Sequence, residues 1–125
     1  MATKRPTPGT IVWHDLTVAN ADAVRDFYRE VVGWTPEAVD MGGYSDWSMA
    51  TPSGETVAGV CHARGVNAKV PPQWLVYVQV ADLDAAMERC VALGGRIVDG
   101  PRSMGKQRFV WIQDPAGAFM ALTAK

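Results

Sequence analysis

The sequence has few cysteines, little net charge and no long apolar run, and each shortage excludes a class of protein. Its only cysteines, Cys61 and Cys90, are too few for a disulfide framework and predict reduced thiols in a cytoplasmic protein. A formal net charge of -1 gives no electrostatic case for nucleic acid or an anionic membrane as a partner. The apolar runs are no longer than strands and the N-terminus has no apolar signal segment, so we expect neither a transmembrane helix nor secretion. Glycine-rich phosphate-binding motifs are also missing.

An internal repeat organises what is present. Shifting the sequence by 62 positions aligns Val18 with Val80 and Gly33 with Gly95, without a gap between them. The aligned stretch carries the end of a strand and the helix after it, so it indicates a duplicated strand–helix unit. Two copies are too few for a solenoid and suit two modules packed as one domain.

We predict a single domain over residues 1–125, because this length is typical of one domain. Its modules would cover residues 10–63 and 74–124, each with one strand, one helix and three further strands. Residues 64–73 contain a glycine and two prolines and would link the modules.

Apolar residues recur at helical spacing in both predicted helices. In the first helix they are Val24, Phe27, Tyr28 and Val31. In the second helix, which Asp82 is expected to cap, they form a stripe that we expect to be buried: Leu83, Ala86, Met87, Cys90 and Leu93. The sixth strand is predicted to end at Asp99, before a flexible loop over Gly100–Gln107. The Ser103–Gln107 part of this loop is an ordinary hairpin connection or, alternatively, a lid.

Alternation within the predicted strands separates a face that packs under the helices from one that points away, and it places Leu16, Val18 and Val110 on the helix side. The second face would hold tryptophans, which do not suit bulk water, and Asp15, Gln79 and Gln113, which do not suit a dry core. A curved sheet around a ligand cavity accommodates both, while the alternative is a mixed core or a dimer interface. The predicted ligand-binding residues are Trp13, Asp15, Thr17, Trp47, Met49, Cys61, Tyr77, Gln79, Phe109, Trp111, Gln113 and Phe119.

Asp15 is the candidate catalytic residue, since a partly buried carboxylate can act as a base or anchor a ligand. Its alternative role is a structural hydrogen bond. Cys61 has no obvious histidine partner and is interpreted as a small apolar filler rather than a nucleophile. His14 and Trp74 fall on the helix side and are interpreted as structural.

The tryptophans of the second face are expected to stack on a flat or cationic ligand, unless they are core residues. They are Trp13, Trp47 and Trp111. Nearby hydroxyl and amide groups would orient the ligand, or satisfy one another across strands. These groups belong to Tyr77, Gln79 and Gln113.

Several stretches, in order, are similar to those of one known family. They are Phe27–Trp34 (FYREVVGW), Val80–Ala86 (VADLDAA), Leu93–Gly95 and Asp114–Gly117. With the duplicated β-α-β-β-β layout, they make residues 10–124 resemble the vicinal oxygen chelate superfamily, which includes glyoxalase I, bleomycin-resistance proteins and extradiol dioxygenases. Trp13–Leu16 (WHDL) and Trp74–Tyr77 (WLVY) look closest to a glyoxalase-like bacterial subgroup.

The resemblance implies an α+β fold. Two β-α-β-β-β modules would form an eight-stranded, incompletely closed barrel-like sheet with helices on the outer face. It also implies a homodimer, with the cavity inside one chain or across the interface.

Metal-dependent members of this superfamily use four strand positions, occupied by histidine or glutamate, to bind a divalent metal. The resemblance places Trp13, Gly59, Leu75 and Ala121 at these positions, and none of these side chains can be a metal ligand. His14 and His62 are out of phase with these positions, and a shift of one residue turns a side chain to the other face. We therefore expect no metal cofactor.

The favoured function is a metal-independent small-molecule-binding protein with an aromatic-lined cavity. One alternative is a glyoxalase-like lyase, isomerase or hydroxylase that uses Asp15 as acid or base, or a metal bound through His14 and His62. The other is a dimerisation module without a ligand.

Overall fold

The computed structural model describes residues 6–64 and 71–125. Within them the chain forms β1 (Ile11–Val18), α1 (Ala21–Val32), β2 (Thr35–Asp40), β3 (Ser45–Ala50), β4 (Thr56–His62), β5 (Trp74–Gln79), α2 (Leu83–Ala92), β6 (Arg96–Met104), β7 (Gln107–Gln113) and β8 (Phe119–Ala124). Most of the predicted linker at 64–73 lies outside the described residues.

The chain folds as two compact units, named here after the helix that each contains. The α1 unit is His14–Trp74, and the α2 unit is Leu75–Lys125 with the described residues up to Trp13. Strands of the α1 unit lie in the order β2-β3-β4-β1, and those of the α2 unit in the order β5-β8-β7-β6. Within the described chain, β2 has β3 as its one neighbouring strand and β6 has β7.

The register of the strand pairs repeats between the units. In the α1 unit, β1 runs parallel to β4 and pairs Asp15 with Gly59. In the α2 unit, β5 runs parallel to β8 and pairs Tyr77 with Ala121, each residue lying 62 positions after its counterpart. The predicted duplication is confirmed, and so is the α+β fold of two β-α-β-β-β modules.

The helices begin and end at residues whose side chains suit those positions. Asp82 caps α2, because its carboxylate accepts a hydrogen bond from the backbone N–H of Ala85 at 3.0 Å. Gly33 ends α1 in the left-handed conformation at a φ of 85°, which glycine adopts without steric strain. Neither described helix has the length and apolar character needed to cross a membrane.

Each unit buries apolar residues between its helix and its strands. The core of the α1 unit is Leu16, Val18, Ala21, Met49, Ala58 and Val60. The core of the α2 unit is Leu83, Val110, Leu122 and Ala124. The predicted helix-side placement of Leu16, Val18 and Val110 is therefore confirmed.

The predicted helix faces are only partly buried. Phe27 and Val31 are 56% and 64% exposed, because α1 contacts its core through Ala21, Val24 and Tyr28 instead. Leu93 follows the end of α2 and is 66% exposed. The predicted burial of Leu93 is wrong.

Strand β6 is longer than predicted. It continues past Asp99 to Met104, which pairs with Gln107, so the connection to β7 is a short hairpin turn and not a long loop. Gly100 and Pro101 suggested the end of a strand. However, β6 is an edge strand, and there the missing N–H of a proline can face away from the neighbouring strand without loss of a ladder hydrogen bond. The register shifts between Ile97 and Asp99 and again between Asp99 and Arg102.

Candidate functional site

On the side of the α1 unit that points away from its helix, the Asp15 carboxylate lies over Gly59. The two residues are direct partners in the β1–β4 ladder, and a Cβ atom at Gly59 would overlap Oδ1 of Asp15. Any larger residue at position 59 would therefore force the carboxylate to move. Gly59 leaves open the space that Asp15 occupies, so these two residues form one structural unit.

Thr17 and Cys61 are the next pair along this face. Burial raises the pKa of the Cys61 thiol, and the negative charges of Asp15 and Asp46 and a hydrogen bond to Asp46 raise it further. All these effects favour the protonated thiol. Cys61 is therefore not a thiolate nucleophile at neutral pH, in agreement with its interpretation as a small filler.

Both histidines already have neighbours in the α1 unit. Oδ1 of Asp46 accepts a hydrogen bond from the backbone N–H of His62 at 2.8 Å and lies 3.2 Å from its Nδ1. Nε2 of His62 lies 3.6 Å from Oδ1 of Asp22. Nδ1 of His14 lies 3.4 Å from the carbonyl oxygen of Val57.

Trp47 and Met49 lie on the helix side of β3, so their predicted location on the face that points away from the helix is wrong. The indole N–H of Trp47 donates to Oδ1 of Asp22 at 2.8 Å, and the Arg25 guanidinium lies 4.2 Å from the ring centroid. Met49 is fully buried in the core. The register of β3 opposes Trp47 to the core residue Val60, and this register is not readable from alternation alone.

Trp74 lies against two other aromatic side chains of the α1 unit. Its indole N–H donates to the Tyr28 hydroxyl at 3.1 Å, and its ring lies 5.8 Å from that of Trp34. These rings belong to the helix side of the α1 unit, because Tyr28 and Trp34 pack against its core.

The α2 unit carries aromatic side chains on the face that points away from its helix. Tyr77 and Trp111 are both paired with Ala121, and Phe109 is paired with Thr123, so all three aromatic residues share this face. The indole N–H of Trp111 donates to the Tyr77 hydroxyl at 3.2 Å, and the Tyr77 and Phe109 ring centroids are 6.1 Å apart. Trp111 is 4% exposed and supports Tyr77, while Tyr77 and Phe109 are only partly buried.

The predicted amides of this unit make local hydrogen bonds. Gln113 accepts from Nη2 of Arg96 at 2.6 Å and donates to the carbonyl oxygen of Gly117 at 2.9 Å. This is the structural alternative that the sequence left open, since the amide holds the β7–β8 turn. Gln79 donates to the carbonyl oxygen of Val80 at 3.3 Å. The remaining candidates, Trp13 and Phe119, are partly buried.

Two charged residues on this face were not among the predicted site residues. Asp99 is paired with Trp111 and Arg102 with Phe109, which places both on the aromatic face. Alternation does not group Asp99 with Arg102, because residues three positions apart lie on opposite faces of a regular strand. The only signal was the Gly-Pro step between them, which accompanies the register shift.

The four positions at which the family resemblance expects metal ligands hold no imidazole, carboxylate or thiolate. Of the four expected ligand positions, Leu75 and Ala121 are buried apolar residues, and Gly59 is covered by Asp15. Within residues 6–64 and 71–125, no three or more His, Cys, Asp or Glu side chains are grouped so that they could hold a metal ion.

Comparison with known proteins yields a family match. The family model of the Glyoxalase/Bleomycin resistance protein/Dioxygenase superfamily matches residues 10–122. CFP32 of Mycobacterium tuberculosis, provisionally named a glyoxylase, is 34% identical over 117 residues, which are 91% of this chain and 45% of that protein. The anthracycline biosynthesis protein DnrV of Streptomyces peucetius is 33% identical over 113 residues, which are 89% of this chain and 40% of that protein. The chain thus spans less than half the length of these relatives.

Solved structures share the fold at lower identity. Methylmalonyl-CoA epimerase from Mycobacterium tuberculosis aligns with a TM-score of 0.55 and 22% identity, over 97% of this chain and 91% of that chain. Methylmalonyl-CoA epimerase from Streptomyces coelicolor, carrying a Ser-to-Thr substitution, aligns with a TM-score of 0.58 and 18% identity, over 94% of both chains. At these identities the likeness concerns the fold.

The contact between Asp15 and Gly59 predicts a thermodynamic coupling. Gly59→Ala should lower the free energy of unfolding by about 1–3 kcal/mol, because the added methyl group meets the carboxylate. In an Asp15→Ala background the same change should cost less than about 1 kcal/mol, since the obstacle is gone. Urea denaturation of the four proteins measures both costs, and equal costs in the two backgrounds would contradict this placement.

The environment of Cys61 predicts its reactivity. Asp15→Asn removes a negative charge that raises the pKa of the thiol, so the thiolate fraction at a given pH should increase. Alkylation of Cys61 by iodoacetamide at pH about 8 should accelerate roughly threefold or more. Mass spectrometry follows the reaction, with Cys90 as internal reference and Asp40→Asn as the matched control. An unchanged Cys61 rate would show that the charge of Asp15 does not act on the thiol.

Proposed function

The chain belongs to the Glyoxalase/Bleomycin resistance protein/Dioxygenase superfamily, and we propose that within it this protein binds a flat aromatic small molecule without a metal ion. The binding surface is the aromatic face of the α2 unit, formed by Tyr77, Phe109 and Trp111. Binding alone, as in a sequestering protein, requires no catalytic group.

One observation carries the proposal: the hydrogen bond from Trp111 to Tyr77 beside the Phe109 ring. Because the indole N–H has a partner, Trp111 can be buried while it holds the Tyr77 ring in a fixed orientation. The partly buried rings of Tyr77 and Phe109 then offer apolar contact, and Gln79 supplies a polar group on the same face. Such a surface suits a ligand with a ring and a polar edge.

The aromatic class of the ligand has support from one relative. DnrV is named for anthracycline biosynthesis, and anthracyclines are flat polycyclic aromatic compounds. A comparable ring system would stack on Tyr77 and Phe109. Such aromatic pairs contribute binding free energy in addition to that of the buried apolar area.

Metal independence has support from the donor groups. The four expected ligand positions hold Trp13, Gly59, Leu75 and Ala121, and carbon side chains or an indole do not bind divalent metals. Recognition in this proposal therefore relies on ring contacts and hydrogen bonds alone.

A second candidate function is a lyase, isomerase or hydroxylase that uses Asp15 as acid or base. The observation in its favour is the position of the Asp15 carboxylate directly over Gly59. This position holds a proton acceptor in one place on the sheet. Binding at the α2 unit does not depend on this activity.

A homodimer in the cytoplasm is part of the proposal. Exposed apolar side chains of α1, namely Phe27, Val31 and Val32, suit contact with a second copy. Both cysteines are free, which suits a reducing compartment.

The proposal predicts binding of an anthracycline aglycone to protein that has been dialysed against EDTA. Quenching of tryptophan fluorescence measures the affinity, and Phe109→Ala should weaken it about tenfold because one stacking surface is lost. Trp47→Phe is the matched control, since Trp47 lies on the helix side of the α1 unit, and its affinity should stay within about twofold. Binding that requires added metal, or that is lost equally in both variants, would contradict the proposal.

A further inference from the structure

The edge strand β6 places an ion pair on the aromatic face of the α2 unit. Asp99 stands opposite Trp111 and Arg102 opposite Phe109, although three positions separate the two charged residues and two separate their partners. The shifted register makes this possible, because the extra residue in β6 brings Arg102 back to the face of Asp99. Such bulges are known to redirect side chains next to binding sites.

The ion pair is close but leaves the guanidinium group with unused donors. Nη2 of Arg102 lies 2.8 Å from Oδ2 of Asp99, with 32% and 19% of the two side chains exposed. Oδ2 of Asp99 is buried and has no aligned hydrogen-bond partner within the described chain. Asp99 therefore holds the position of the guanidinium by charge and does not saturate its donors.

The other arginines of the edge hairpin differ in this respect. Arg96, on the same strand, donates to Gln113 through Nε at 3.2 Å and Nη2 at 2.6 Å. Arg108 donates to Asp84 at 3.1 Å. Among residues 6–64 and 71–125, the side chain of Arg102 is recorded with the Asp99 ion pair as its one polar contact, so the other donors of its planar guanidinium are available to a ligand.

We propose that Arg102, positioned by Asp99, binds the carboxylate of an aromatic acid whose ring lies on Tyr77 and Phe109. A guanidinium group matches a carboxylate with two parallel hydrogen bonds, and a charge-assisted pair is about twice as strong as a neutral one. The ligand class becomes an aromatic carboxylic acid rather than any flat ring. This inference rests on the proposed function, because it adds a charged end to the same aromatic surface.

Two probes of equal shape separate the charge from the ring. Calorimetry with the metal-free full chain would compare 2-naphthoate with the neutral 2-naphthamide. Wild type should prefer naphthoate, and Arg102→Gln should weaken naphthoate about ten- to hundredfold while naphthamide changes less than about threefold. Arg96→Gln is the matched control on the same strand and should leave naphthoate affinity within about threefold.

Arg102→Gln alone leaves the Asp99 carboxylate without its ion-pair partner, and this could disturb the fold. A second variant therefore changes both residues. Asp99→Asn combined with Arg102→Gln keeps a neutral pair at this place, and should show the same selective loss of naphthoate if the fold is intact. If neither variant changes the affinity for naphthoate, or if both variants lower the affinities for naphthoate and naphthamide equally, the inference is overturned and aromatic binding stands. If wild type binds neither probe, or Phe109→Ala weakens neither, the proposed function fails and the inference fails with it.

Discussion

The parallel pairing of the first and last strands of each module is the constraint on which the rest of the structure depends. Residues directly opposite each other share a face, so this register sets Asp15 over Gly59 and Tyr77 beside Ala121. A shift of one residue in either pair would turn these side chains toward the helix. The pairing occurs twice at the same register, which means that the repeat in the sequence is also a repeat of geometry.

Equivalent positions of the repeat have acquired different chemistry. Gly59 and Ala121 are both small residues at equivalent positions. The Asp15 carboxylate lies over Gly59 in the α1 unit, and the Tyr77 phenol lies beside Ala121 in the α2 unit. Burial raises the pKa of the Cys61 thiol, and the Asp15 carboxylate raises it further, so that this sulfur stays protonated. The phenol accepts a hydrogen bond from Trp111 and gives the other unit its aromatic surface. One unit thus carries the candidate acid or base, and the other carries the candidate ligand surface.

Much of the fold could be predicted from the sequence, because periodicity and capping are local signals. Leu16 and Val110 are core residues and Asp82 caps α2, as alternation and residue type indicated. The side of Trp47 could not be predicted, since it depends on the register of β3 against β4. Asp99 and Arg102 were missed for a related reason, because a register shift breaks the alternation that sequence reasoning relies on.

The most direct test of the central claim is the set of tryptophan indole N–H signals in the nitrogen-15 NMR spectrum of protein treated with EDTA. Trp111 donates to Tyr77 on the proposed binding surface, whereas Trp47 donates to Asp22 beside α1, so the two signals report separate places. Titration with 2-naphthoate should shift the Trp111 signal and leave that of Trp47 in place. A shift at Trp47 alone, or a shift at Trp111 only after a divalent metal is added, would contradict metal-independent binding at the aromatic face.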